Sequence, residues 1–262
     1  SSDDTAGALG ALGEVLVGPR FIRIRFEENR NFGPACNAGA RAASAALLFF
    51  LNNDTLLTPG WAPPLLEALE ADPSLGGVGP LLLYEDDTVQ HLGVVFSLFG
   101  VEHLYAHFPA EHPVTRKKRY FQAITAAALM MPQAYFLRHG GFYEMFRNGF
   151  EDVDLCLHLA REGKRFTCVS DATIYHLESR TVGRKDSEAH NSGILTERCT
   201  GLFRPDKHAH GVRDGFRVFI NDRFEIGLRL KEEAEAALDQ EAAGQTLAVW
   251  RQLCRAHPYW VR

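Results

Sequence analysis

The chain has few of the features that would place it quickly. Its five cysteines, Cys36, Cys156, Cys168, Cys199 and Cys254, are odd in number and form no Cys-x-x-Cys. That argues against a zinc ribbon or a disulfide framework, and for the reduced thiols of a cytosolic protein. No stretch approaches the ~20 apolar residues of a membrane span. The longest candidate, residues 42–51, is too short and runs into Asn52-Asn53-Asp54. No secretory leader pattern is visible. Basic charge is not in excess: the net charge of −5 and pI near 6.1 argue against a general nucleic-acid binder. The one dense basic run, Arg116-Lys117-Lys118-Arg119, reads as a solvated loop or as a contact for an anionic ligand or membrane surface. There is no internal repeat, no low-complexity segment and no G-x-G-x-x-G.

What remains is ordinary globular composition, 46% hydrophobic and 23% charged. At 262 residues it suits one large α/β domain, alone or with a helical appendage. Residues 21–26 alternate apolar and charged side chains and predict a strand. The Ala-rich stretch 35–46 predicts a helix entered through Pro34. Leu47-Leu48-Phe49-Phe50-Leu51 is a continuous apolar run, as in a strand buried on both faces of a parallel sheet. A helix over 59–71 and a strand over 78–83 follow, whereas 85–113 give no clear pattern. Further on come a helix over 132–139 closed by Gly140-Gly141, a loop over 142–150, a helix over 153–162, and extended runs at 165–169 and 172–176. The alternation favours a doubly wound sheet, whose ligands sit at the carboxyl ends of its strands. From Thr181 to about Gly215 polar residues dominate, and Phe216 to Ile220 read as a strand or a tight helix. Helices are predicted over 228–243 and 246–256.

Four constellations could carry chemistry. Asn52-Asn53-Asp54 follows a buried strand; a carboxylate there can hold a divalent cation, and the same residues suit a simple Asx turn. Glu151, Asp152 and Asp154 cluster at a helix start, where like charges raise at least one pKa and the helix N-terminus opposes that. Such a group can be a general base, and the same pattern also caps a helix. Asp171-Ala172-Thr173-Ile174-Tyr175-His176 ends in a histidine that is a metal ligand or an ordinary hydrogen-bonded side chain. Asn31-Phe32-Gly33-Pro34-Ala35-Cys36-Asn37-Ala38-Gly39 reads alone as a loop entering a helix.

Taken in order with Gly140-Gly141-Phe142, Gln90-His91-Leu92-Gly93 and His103, these segments resemble family 2 glycosyltransferases of the GT-A fold. The likeness is strongest to the bacterial polysaccharide and O-antigen branch that includes rhamnosyltransferases. It implies a Rossmann-like α/β domain over 1–182, a mostly parallel sheet flanked by helices, followed by a mainly helical extension over 183–262. Ser1-Ser2-Asp3-Asp4-Thr5 is similar to the tail of that family's Asp-x-Gly-Ser-x-Asp motif, so the first strand–helix–strand is expected to be missing from this sequence.

Residue by residue, the resemblance implies that Asp54 holds Mn²⁺ or Mg²⁺ on a donor diphosphate and that His176 is a late metal or diphosphate contact. Asn52, an amide where the motif opens, would contact the donor, together with Asn31, Asn37, Asn53 and Thr125; Ala126 matches a small residue beside the donor sugar. Asp152 matches the base that deprotonates the acceptor hydroxyl, with Glu151 and Asp154 orienting the acceptor or that base. The family's Arg after Asp-Leu-x-x is His158 here. The implied activity is inverting, metal-dependent sugar transfer from a UDP- or dTDP-sugar to a glycan or lipid-linked acceptor. No nucleic acid is implied, the expected location is cytoplasmic, and docking at the inner face of the membrane and homodimer formation stay open. Two rivals stand beside it. One is a non-catalytic GT-A relative serving as a sugar-nucleotide-binding or assembly module, which would more often have lost Asp54 or Asp152. The other is a nucleotidyltransferase, which normally needs a Gly-rich basic early loop.

Overall fold

The structure is a computed structural model that describes residues 5–16, 20–97, 100–177, 187–220, 222 and 226–229. Its centre is a six-stranded sheet. β1 (Leu47–Leu51), β2 (Thr55–Leu57), β3 (Leu75–Leu83), β4 (Val89–His91), β7 (Ala128–Pro132) and β8 (Arg165–His176) contribute, in the order β1-β7-β3-β8-β2 with β4 also on β3. β3 and β8 pair in parallel, β7 lies antiparallel to both β1 and β3, and β2 and β4 are antiparallel additions. β1, β3 and β8 therefore run in one direction and carry most of the sheet's residues. Their carboxyl ends share one edge with the start of β7. Two hairpins stand apart, β5 (Val94–Ser97) with β6 (Gly100–His103), and β9 (Arg217–Ile220) with β10 (Ile226–Arg229).

Helices cover both faces. α1 (Thr5–Leu16) precedes the sheet; α2 (Phe32–Ala42), α3 (Ala62–Ala71), α4 (Gln133–Arg138), α5 (Glu151–Arg161), α6 (Glu188–Cys199) and α7 (Lys207–Asp214) surround it. The two-residue period of the strands divides the core. Leu48 and Phe50 of β1 and Leu129 and Met131 of β7 face the cluster that takes in Leu155, Leu157 and Leu159 of α5. Leu47, Phe49 and Met130 face Leu65 of α3 on the other side. All nine residues of β3 are buried, as a strand covered on both faces requires. The two extended runs expected at 165–169 and 172–176 form one strand. Its register slips where Pro80 meets Val169 and Leu81 meets Thr173, because Pro80 has no N–H to offer the ladder.

Asn37 ties α2 to the segment that leads into α5. Buried on α2, it accepts from Phe142 N at 2.8 Å and donates to Phe142 O at 2.8 Å and Glu144 Oε1 at 3.0 Å. That locks α2 to the Gly140-Gly141-Phe142 turn leading to α5. Gly141 has φ +81°, and a Cβ there would lie 2.3 Å from Asn37 Oδ1.

Two expectations are corrected. Residues 21–26 form no strand: the alternation is present, but no described segment pairs with them, and Ile22 is 60% exposed. The polar stretch after Thr181, to which the sequence pattern assigns no element, contains α6 and α7, which pack on α5 and β5. Leu228 lies in β10 rather than opening a helix; the remainder of the helix expected over 228–243, and all of that over 246–256, lie outside the described residues. Among the described residues, no helix is long and apolar enough to cross a membrane.

The neighbouring glycines separate backbone strain from overlap. Gly140, φ +80°, has open space where a Cβ would go. Gly140→Ala is expected to cost about 1–2 kcal/mol for the left-handed backbone alone. Gly141→Ala should cost about twice that, since overlap adds roughly 1–3 kcal/mol. Urea unfolding of the two variants measures the difference.

Candidate active site

The antiparallel ladder of β2 on β8 pairs Thr55 with His176, and Leu177 N donates to Asp54 O at 2.8 Å. Asp54 and His176, 122 residues apart in sequence, are thereby brought side by side. His176 Nε2 lies 3.2 Å from Asp54 Oδ1 and 3.2 Å from Asn52 Nδ2.

The protons on His176 follow from its neighbour. Gln90 Nε2 donates to His176 O at 2.9 Å, which turns Gln90 Oε1 toward Nδ1 at 2.6 Å. An amide oxygen only accepts, so Nδ1 carries the proton; in the neutral ring Nε2 then presents a lone pair, which accepts from Asn52 Nδ2. Asp54 Oδ1 is buried and has no hydrogen-bond partner among the described residues. A buried carboxylate oxygen without a donor, beside an imidazole lone pair, is costly unless a cation joins them. Oxygen and imidazole donors together suit a divalent ion, and Asp54 with His176 therefore fits the implied metal.

The second half of the site hangs on residues 125–127. Asn52 N donates to Ala127 O at 2.9 Å, tying the end of β1 to the entrance of β7. Ala126 N donates to Asp152 Oδ2 at 2.8 Å, and Val153 N to Asp152 Oδ1 at 2.8 Å. The half-buried Asp152 carboxylate is thus held by two backbone amides, with lone pairs to spare. Thr125 N donates to His91 Nε2 at 3.2 Å, and Thr125 Oγ1 accepts from Ala127 N at 3.3 Å. Burial, reinforced by His103 and His176, holds the His91 pKa well below the usual histidine value. Neutral His91 accepts at Nε2, so its Nδ1–H donates to His103 Nδ1 at 2.6 Å.

α5 sends its three acidic residues in different directions, as successive 100° steps require. Glu151 is buried against α2; its Oε2 accepts from Gly149 N at 2.7 Å, and its Oε1 has no partner among the described residues. Burial pushes its carboxyl up to about 7, the Asp152 charge adding to the effect against opposing backbone amides. Asp154 points the other way. Arg198 grips it with Nε at 2.7 Å and Nη2 at 3.0 Å, and Cys199 Sγ lies 3.4 Å from Oδ1.

Several residues expected at the site have partners elsewhere. The Asn37 amide, expected as a donor contact, is committed to the α2 clamp. Asp154, expected to orient the acceptor or Asp152, has both its oxygens on Arg198 of α6. Asn31 sits at the entrance of α2 with φ 64°, and Asn53 is exposed in the turn between β1 and β2; no hydrogen bond ties either side chain to Asp54 or Asp152. A cavity of about 470 Å³ lies beside α5, lined by Gly141, Tyr143, Met145, Asp154, His158 and Arg198, away from the strand ends. Asp154, His158 and Cys199 approach one another within 4.8 Å, but with Arg198 already on Asp154 the group is an ion pair rather than a cation cage. Arg198 was invisible in the sequence, standing in a stretch with no clear periodicity. Gln90 was visible only as part of a motif.

Residues 1–121 match the family described as Glycosyl transferase family 2. The O-antigen biosynthesis protein RfbC of Myxococcus xanthus is 33% identical over 187 residues, 68% of this chain and 14% of that protein. Protein y4gI of Sinorhizobium fredii is 30% identical over 190 residues, 70% of this chain and 21% of that protein. The chain thus spans only a small part of the length of these relatives. Among solved structures, the mannosyltransferase PcManGT of Pyrobaculum calidifontis, held with GDP-Man and Mn²⁺, superposes with a TM-score of 0.53 at 16% identity, covering 99% of this chain and 70% of that one. The fold is that of a GT-A domain. Over residues 1–121 the chain belongs to glycosyl transferase family 2.

The Glu151 shift has a consequence for stability. A carboxyl raised from an ordinary 4.5 to about 7 keeps its proton in the folded chain after the unfolded chain has lost it. Its contribution is complete below the lower value and is lost as pH rises through about 7. Glu151→Gln is therefore expected to melt with a flatter pH dependence across this window and to gain on the unaltered chain above it. Parallel denaturant melts of the two proteins give the difference, in which the buried histidines cancel.

Proposed function

We propose that the chain carries the catalytic centre of a metal-dependent, inverting glycosyltransferase, moving a sugar from a nucleoside-diphosphate donor to a hydroxyl of a glycan or glycolipid-type acceptor. The observation that carries this reading is one sheet edge bearing two unlike sites, bridged by residues 126–127. Asp54 and His176 offer a cation two lone pairs. Asp152 offers a fixed base.

The chemistry needs both. Asp152 takes the proton of the acceptor hydroxyl as that oxygen attacks the anomeric carbon, and the bond from that carbon to the diphosphate breaks with its electron pair leaving on the phosphate oxygen. A single displacement inverts the centre. A divalent cation bound by Asp54 and His176 supplies the positive charge that stabilises the leaving diphosphate. The two backbone amides fix Asp152 before substrate arrives, so little ordering is left for the transition state. Asn52, whose Nδ2 lies 3.2 Å from His176 Nε2, and Thr125, next to the Ala126 amide that holds Asp152, are the proposed donor contacts. The GDP-Man and Mn²⁺ held by the mannosyltransferase of the same fold accord with a nucleotide-sugar donor and a divalent metal. The O-antigen relative accords with a polysaccharide precursor as acceptor.

Two variants separate the roles. Melting the chain with UDP, dTDP and GDP, each with Mn²⁺ or chelator, should give metal-dependent stabilisation by one nucleotide. Asp54→Ala is expected to abolish that stabilisation. Asp152→Asn should keep it while sugar transfer falls by about 10²–10⁴-fold. Near-normal transfer by a folded Asp152→Asn protein contradicts the base assignment, and nucleotide stabilisation that ignores metal and Asp54 contradicts the donor site.

A further inference from the structure

Resting on the metal reading of Asp54 and His176, we infer that Gln90 is a positioning residue that holds His176 in the one tautomer able to bind a cation. Gln90 and His176 are 5% and 6% exposed, so water does not serve as a ready alternative partner. The contact is two-sided: the Gln90 amide nitrogen holds the His176 carbonyl at 2.9 Å, and its oxygen receives the ring Nδ1–H at 2.6 Å. The first bond forbids the amide to flip. Consequently Nδ1 always faces an acceptor, and Nε2, 3.2 Å from Asp54 Oδ1, keeps a single lone pair that accepts from Asn52 Nδ2 at 3.2 Å and that a cation would take over from that amide.

The alternative state shows why this matters. A neutral histidine released from Gln90 can move its proton to Nε2. That N–H then donates to Asp54 Oδ1 and satisfies the orphaned oxygen without any metal. The site would close on itself as a His–Asp hydrogen bond, and a cation would have to displace a proton to enter. The acceptor at Nδ1 makes that closure unfavourable, because it would set an imidazole lone pair against the Gln90 oxygen. Partners of this kind are worth about 10- to 100-fold in metal affinity where they have been removed. The sequence held only Gln90 inside Gln90-His91-Leu92-Gly93 and gave it no role.

The test reads tautomer and metal affinity separately, with no need of substrate. A long-range ¹H–¹⁵N spectrum of the full chain at fixed pH, with the His176 signals identified by loss in His176→Ala, reports which ring nitrogen is protonated. Free-Mn²⁺ signal in an electron paramagnetic resonance titration reports the affinity for Mn²⁺ alone. The unaltered chain should show Nδ1–H. Gln90→Met should populate Nε2–H and bind Mn²⁺ about 10- to 100-fold more weakly. Gln90→Glu, which restores an acceptor at Nδ1, should recover the tautomer and most of the affinity. In the His176→Ala background Gln90→Met should cost nothing further. A cooperatively melting Gln90→Met protein that keeps both Nδ1–H and its Mn²⁺ affinity overturns this inference while leaving the metal site intact. Should Asp54→Ala leave Mn²⁺ binding unchanged, the metal reading falls and takes the inference with it.

Discussion

The three residues Thr125, Ala126 and Ala127 hold the site together. Each spends a backbone group on a different part of it: Thr125 N on His91, Ala126 N on Asp152, and Ala127 O on Asn52. Their side chains are small, so the backbone can approach all three partners. They stand where β7, the reversed strand, enters the sheet between β1 and β3. Reversal puts the start of β7 on the same edge as the ends of its neighbours. Without it, the amide that holds Asp152 and the carbonyl that holds Asn52 would both lie at the edge opposite the end of β1.

The acidic motif at the start of α5 shows how one short segment can serve three purposes. Asp152 turns to the sheet edge and its proposed chemistry. Glu151 turns to α2, where burial favours its neutral form and removes one charge from beside Asp152. Asp154 turns to α6 and anchors Arg198, whose guanidinium also lies 3.8 Å from the ring centroid of Tyr143. The clustering legible as mutual repulsion is resolved by helical geometry, which sends the carboxylates to separate partners.

Much of this was legible in the sequence, and the reasons for the gaps are physical. The apolar run Leu47 to Leu51 and the turn after it located β1 and Asp54, but not its surroundings: among the described residues β1 is an edge strand, antiparallel to β7, with only Leu48 and Phe50 buried, rather than a parallel strand covered on both faces. The order of motifs located Asp152 and His176. Pairing was not legible: that β2 would bring Asp54 against His176 depends on a three-residue strand too short to leave a pattern. Residues 21–26 have a strand's alternation, yet alternation describes a surface and not a neighbour. α6 was missed because Asn191 and Gly193 interrupt it and only Leu195 and Cys199 are buried hydrophobics along its length. Asn37 was read as a ligand contact because an amide in a motif looks the same whether it binds a substrate or ties two segments of its own chain.

The pairing of Asp54 with His176 is the claim on which the functional reading turns. The most direct measurement is a crystal structure of the chain grown with Mn²⁺ and a nucleoside diphosphate, with data collected at the manganese absorption edge. The expected result is an anomalous peak bridging Asp54 Oδ1 and His176 Nε2, with the diphosphate on its far side and Asp152 facing the same space. A peak on Asp154, His158 and Cys199 instead, or none at the strand ends while the nucleotide is bound, would contradict it.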